Sequence, residues 1–312
     1  MLSLRCRADG SRHHHVQVLT RMATAEVYNP IKARTVRELS VRGVKYAVNE
    51  WGDSGAPLIV YLHGWGDTGS TLQFVVDALK SDWYVIAPDW RGFGRSTFDC
   101  TSYWFPDYLA DLNDLLAIYS PQEPARLVGH SMGANVAGLF AGTMPERISA
   151  MVNIEGFGLA DSKPDDAPRR YREWIEAQDL AFSEYASYES LGARIKKRNR
   201  HMSAAAASFV AREWAREGVD GVVRLRADPR HKLPNPVLYR RAEAEACWRA
   251  ITAKTLLVTG AESRLAEQVA NAPGLEWPDA KRIDIEKAGH MLHFEAPAAL
   301  AEVIEGFLLQ TL

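Results

Sequence analysis

Short, apolar, β-branched runs alternate with helix-period segments along most of this chain, and that alternation constrains the fold more than any other feature. Residues 58–62, 84–87, 127–128, 151–154 and 256–258 carry few polar side chains, as strands buried on both faces do, and residues 283–285 make a weaker run. Between two of them, Leu112, Leu115, Leu116 and Tyr119 recur at i, i+3, i+4 and i+7, which is one face of a helix. Alternation of this kind predicts an α/β fold with a mostly parallel sheet and helices on both faces. Ahead of it, residues 36–41 and 44–49 flank Arg42-Gly43 and read as an antiparallel hairpin.

One stretch breaks the rhythm. Residues 158–248 are polar and helix-favouring, with no clear buried strand, and are expected to form a helical insertion after the strand ending near Ile154. The expected organisation is therefore a core made of residues 34–157 and 249–312 with a cap of residues 158–248. Residues 1–33 are expected to be a disordered or mis-assigned leader. It carries Arg5, Arg7, Arg12 and Arg21 against one acid, Asp9, but has no apolar segment of the secretory kind. His13, His14 and His15 lie in it as well.

Across 312 residues the formal net charge is −2, which speaks against an electrostatic nucleic-acid binder. Cys6, Cys100 and Cys247 are too few and too scattered for a disulfide framework or a zinc site. No apolar run approaches the length of a membrane span. A cytoplasmic location is expected, with the leader leaving the point ambiguous, and the oligomeric state stays open.

The chemistry concentrates at Gly129-His130-Ser131-Met132-Gly133, a G-x-S-x-G placed directly after a strand and before a helical run through Val136 and Phe140. In that context a serine is held in a strained turn with its hydroxyl raised above the sheet, and the flanking glycines let strand and helix approach. Ser131 is the expected nucleophile.

With that elbow come His63-Gly64-Trp65, Asp89-Trp-Arg-Gly-Phe-Gly-Arg-Ser96 and Ala288-Gly-His-Met-Leu-His-Phe-Glu-Ala-Pro297, in this order. Together they resemble the α/β-hydrolase superfamily, over nearly everything from Val36 to Leu309. The segment Asp228-Pro-Arg-His-Lys-Leu-Pro-Asn-Pro236, with Ala246-Cys-Trp248, is similar to the serine hydrolase-like subgroup. The resemblance implies a mostly parallel eight-stranded sheet with helices on both faces and a helical cap over the site. It also implies that His290 is the base and that the backbone N–H groups of Trp65 and Met132 form the oxyanion hole. His63 is expected to brace the oxyanion loop, and His130 to shape the elbow.

The acid is where the sequence departs from the family. The usual aspartate position, three residues after Gly260, is Ser263, which cannot stabilise an imidazolium. Glu155, at the end of the strand 151–154, is preferred, since some branches of the superfamily place the acid there. Glu262 is the alternative. Either choice keeps the chain order serine, acid, histidine.

These residues predict an acyl-enzyme on Ser131 that water then hydrolyses, acting on a small-molecule carboxylic ester or related acyl substrate and needing no metal or organic cofactor. A non-catalytic ligand-binding protein on the same fold is the alternative, kept open by the displaced acid. In the cap, Tyr171, Trp174, Phe182, Tyr185 and Tyr188 are expected to form a small aromatic core rather than a roof over the cavity. The basic run of Arg194, Lys196, Lys197, Arg198 and Arg200 is expected to be a solvated helix face balanced by neighbouring acids, with attraction of an acidic substrate as the other reading.

Overall fold

The computed structural model describes residues 27–97, 99–264, 277 and 280–312, and its sheet begins with the hairpin β1 (Arg34–Val41) and β2 (Val44–Trp51). Arg42 and Gly43 both take positive φ, 49° and 77°, the left-handed pair whose twist suits a two-residue hairpin turn. Then come β3 (Leu58–Leu62), β4 (Tyr84–Pro88), β5 (Ala125–His130) and β6 (Ile148–Ile154). Three short strands, β7 (Glu184–Tyr185), β8 (Ala215–Glu217) and β9 (Val223–Leu225), precede β10 (Lys254–Gly260) and β11 (Lys281–Ile285). The main sheet has eight strands in the order β1-β2-β4-β3-β5-β6-β10-β11. β2 runs antiparallel to both of its neighbours, and every pairing from β4 to β11 is parallel.

Among the described residues, α1 (Gln73–Ala78), α2 (Pro106–Tyr119) and α3 (Met132–Thr143) precede the insertion, and four more helices, α4 (Ala167–Glu176), α5 (Tyr188–Arg198), α6 (Ala204–Trp214) and α7 (Arg241–Arg249), lie between β6 and β10. The short α8 (Leu292–Glu295) and α9 (Pro297–Leu308) follow β11. Strand residues alternate between two apolar layers. Val60 and Leu62 join Leu112 and Leu116 of α2 and Val136 and Phe140 of α3 on one face. Ile59 and Tyr61 join Val75 of α1 and Leu300 and Ile304 of α9 on the other. Both faces are thus covered, which is why the central strands read as apolar runs instead of alternating ones. β11 lies at the sheet edge with its first four residues exposed, which accounts for its weak apolar signal.

The insertion between β6 and β10 is not wholly helical. It also holds an antiparallel three-stranded sheet in the order β7-β9-β8, built from strands of two or three residues that leave no periodicity to read. Its fully buried residues are mainly aliphatic, with Tyr185, Tyr188, Phe209 and Trp214 partly buried against them. Leu191 and Ile195 of α5 meet Ala206 and Val210 of α6, and Phe74 and Phe294 of the sheet domain join the same cluster, tying the cap down over the ends of the strands.

Of the expected leader, residues 1–26, the three histidines included, lie outside the described residues. The remainder is docked rather than loose. Tyr28 Oη donates to Asp77 Oδ2 at 2.5 Å, the Lys32 backbone N–H to Asp77 Oδ1 at 2.8 Å, and the Tyr28 ring packs edge-on against Phe74. These tertiary bonds have no counterpart in local composition. Among the described residues no helix is long and apolar enough to cross a membrane.

Candidate active site

Ser131 links β5 to α3 with φ 50° and ψ −113°, a conformation that costs a non-glycine residue free energy and that the surrounding contacts impose. Its N–H donates to Ile154 O at 2.8 Å, and Asn135 N–H donates to its carbonyl at 3.0 Å, so the turn is clamped between β6 and the first turn of α3. The two flanking glycines are required by space. A Cβ at Gly133 would lie 2.1 Å from Leu62 O, and one at Gly129 would lie 2.6 Å from Ala134 Cα.

His290 reaches this serine from the loop between β11 and α8, with Nε2 3.2 Å from Ser131 Oγ. On its other side Nδ1 lies 2.8 Å from Glu155 Oε2. A carboxylate only accepts, so Nδ1 carries the proton and the lone pair of neutral His290 sits on Nε2, facing the hydroxyl. Glu155 is 2% exposed and adopts φ 57°, a left-handed kink that ends β6 and turns the side chain along the strand ends. Asn153 shapes the kink by donating to Gly156 O and accepting from Gly156 N–H, each at 2.8 Å.

Of the two carboxylates weighed from the sequence, Glu155 is brought to His290 and Glu262 is not. Glu262 sits at the surface and pairs with Arg200 at 2.8 Å and His201 at 3.0 Å. The reason is the turn after β10. Glu262 N–H donates to Ala288 O and Ser263 N–H to Gly260 O, which points the residue at 262 outward and the one at 263 inward. Ser263 then donates through Oγ to Glu155 Oε2 at 2.6 Å, and Gly260 N–H donates to Oε1 at 2.9 Å. Ser263 stands where the resemblance calls for an acid and cannot be one; in the fold it is a donor to one.

The loop holding Trp65 is braced from below. His63 Nε2 accepts the Trp90 N–H at 2.8 Å, so its Nδ1–H donates to Gly64 O at 2.7 Å, and Trp90 Nε1 donates to His63 O at 3.1 Å. Burial depresses the pKa of His63, in keeping with this neutral form. His130 is also buried, which holds its pKa well below the usual value, and its Nε2–H donates to His290 O at 2.8 Å. It thereby ties the elbow to the His290 loop.

Asp67, two residues past Trp65, was not singled out in the sequence. Its Oδ1 accepts from Thr68 N–H, Thr71 Oγ and Trp214 Nε1, and its Oδ2 lies 3.0 Å from His293 Nε2. Burial pushes the Asp67 carboxyl up, but the bond to His293 and the neighbouring donors outweigh it and bring the pKa down to about 2. Trp214 belongs to α6, so this buried acid joins the cap to the loop that carries Trp65. Asp67, His130 and His293 have possible ligand atoms within 4.8 Å of one another, the one such metal-like grouping among the described residues. Within the trio Asp67 and His293 share one hydrogen bond, and His130 is tied instead to the His290 carbonyl, while the Nδ1 atoms of His130 and His293 are buried without a hydrogen-bond partner among the described residues.

A cavity of about 880 Å³ opens between cap and sheet, with His290 and Trp65 on its wall. The cap aromatics divide. Phe182 and Tyr185 line the cavity, with Phe182 6.0 Å from Trp65 between ring centroids. Tyr185 and Tyr188 also pack on the α5–α6 core, whereas Tyr171 and Trp174 are exposed, so only part of the expected aromatic core forms. The basic run is also not balanced as expected. Arg200 takes Glu262, and Glu189 faces Arg212 of α6 instead of its own helix.

The chain matches the family model described as alpha/beta hydrolase fold over residues 57–297. It is 28% identical over 274 residues to a serine hydrolase-like protein of Danio rerio, covering 83% of each chain. To a 3-hydroxybutyrate-oligomer hydrolase of Cupriavidus necator it is 30% identical over 281 residues, covering 82% of this chain and 90% of that one. Among solved structures, the thioesterase domain from the curacin biosynthetic pathway is similar, with a TM-score of 0.77 and 26% identity over 87% of this chain and 99% of that chain.

Proposed function

We propose that this chain, which belongs to the α/β-hydrolase fold family, is a serine hydrolase that cleaves a carboxylic ester or related acyl compound through an acyl-enzyme on Ser131. The observation that carries this reading is the unbroken series from Ser131 Oγ through His290 to buried Glu155, with spacings of 3.2 Å and 2.8 Å. A serine hydroxyl is a weak nucleophile at neutral pH, and a positioned imidazole with its lone pair on Nε2 removes that obstacle. The comparisons lend support at the level of the reaction class, since one relative is named for hydrolysing 3-hydroxybutyrate oligomers.

In the proposed sequence, Ser131 Oγ attacks the substrate carbonyl carbon while its proton passes to His290 Nε2. Glu155 stabilises the resulting imidazolium. The oxyanion is met by the backbone N–H groups of Trp65 and Met132, each worth about 3 kcal/mol to the transition state. His290 then returns the proton to the leaving group, and the acyl–Oγ ester remains. Water, deprotonated by His290, attacks that ester, releases the acid and regenerates the serine.

Fluorophosphonate labelling tests this directly. The unmodified protein is expected to label at Ser131 and to hydrolyse 4-nitrophenyl butyrate, and Ser131→Ala to lose the label and at least roughly 10³-fold in kcat/KM. Full turnover by Ser131→Ala would remove the proposal.

A further inference from the structure

We infer that the acyl substrate carries an anionic group, such as a carboxylate, received by Arg226 together with Arg194 and Arg198 on the cap side of the cavity. This deepens the hydrolase reading and rests on it. The helix α5 turns Leu191, Arg194, Ile195 and Arg198 toward the cavity, spaced i, i+3, i+4 and i+7, so two guanidinium groups lie on its lining face. Arg226, just past β9, lines the same cavity from the cap sheet.

None of these three arginines has a carboxylate within 4 Å among the described residues, because the acids nearby are already engaged. Glu213 is held by Arg34 at 2.9 Å and Arg95 at 3.5 Å. Glu262 is held by Arg200 and His201. Glu295 accepts from the backbone N–H groups of Gly289 at 2.7 Å and His201 at 3.2 Å.

Exposed arginines on a helix would by themselves say little, since solvent satisfies them. Arg226 decides the matter. It is half-buried, and its Nε donates to Ala215 O at 3.0 Å, which fixes the plane of the guanidinium and leaves the terminal nitrogens to other partners. Burial disfavours its charge most, and Arg95 and Arg216 add to this, while Tyr188 and Glu213, itself held by Arg34 and Arg95, act the other way. A partly desolvated cation among like charges is costly unless an anion completes it, and a planar fork of N–H donors suits a carboxylate oxygen pair. Trp65 and Phe182 offer apolar surface in the same cavity for the chain that joins that anion to the scissile carbonyl.

The test compares kcat/KM for 4-nitrophenyl hydrogen adipate with that for 4-nitrophenyl hexanoate, which has the same acyl length without the charge. The unmodified protein is expected to favour the adipate ester by about tenfold or more at low salt. Arg226→Gln is expected to cut that ratio by about tenfold, Arg226→Lys by less, and Lys197→Gln, off the cavity, not at all. A preference for the neutral ester in the unmodified protein, or an unchanged ratio in Arg226→Gln, overturns the inference. Should neither ester turn over and fluorophosphonate fail to label Ser131, the hydrolase reading falls separately. Calorimetric titration with adipate then decides: binding lost in Arg226→Gln sustains the anion site, and absent or equal binding refutes it.

Discussion

The ends of β6 and β10 lie side by side and face one histidine, yet they treat a glutamate in opposite ways. At the end of β6, Glu155 is 2% exposed, sits at a φ of 57° and accepts from Gly260 N–H, Ser263 Oγ and His290. At the end of β10, Glu262 is at the surface in an ion pair with Arg200. An acid that is to stay charged in a buried place needs donors already aimed at it, and those donors come from the strand that did not supply the acid. The β10 end has therefore not lost its part in the site; it holds the carboxylate instead of bearing it.

Three substitutions probe this contrast. Glu155→Gln is expected to lower kcat for 4-nitrophenyl butyrate by about 10³- to 10⁴-fold, since the amide no longer stabilises the imidazolium or selects the tautomer with its lone pair toward Ser131. A loss below tenfold would break the contrast between the two strand ends. Ser263→Ala removes one donor from Glu155 Oε2 and is expected to cost about tenfold in kcat, with KM little changed, as steady-state kinetics can show. Smallest of all, Glu262→Gln is expected to stay within about twofold of the unmodified protein in kcat, because exposed ion pairs contribute little. A hundredfold drop there would reverse the assignment of the acid.

Much of the architecture was legible because burial on both faces writes an apolar run into β3, β4, β6 and β10, and because a helix packed on a sheet shows its stripe, as α2 does. The strand–turn–helix setting of Ser131 was legible for the same reason. What escaped had tertiary causes. Strands of two or three residues, such as β7, are defined by their partners and not by a period. Whether 262 or 263 turns inward depends on Glu262 N–H finding Ala288 O, a bond between segments far apart in the chain. The balance of the basic run was misjudged because sequence proximity does not show that Glu189 turns to α6. Asp67 went unnoticed because its partners, Trp214 and His293, arrive from the cap and from α8.

The placement of the insertion between β6 and β10 also sets the order in which the site comes into being. A ribosome delivers the elbow and Glu155 first, then the whole cap, and only afterwards Gly260, Ser263 and His290. A nascent chain halted within the cap therefore carries Ser131 and Glu155 with neither the imidazole between them nor the donors that hold the acid in place. The arrangement of Ser131, His290 and Glu155 is thus completed only by residues made late in synthesis, after the parallel pairing of β6 with β10 has closed over the long excursion between them.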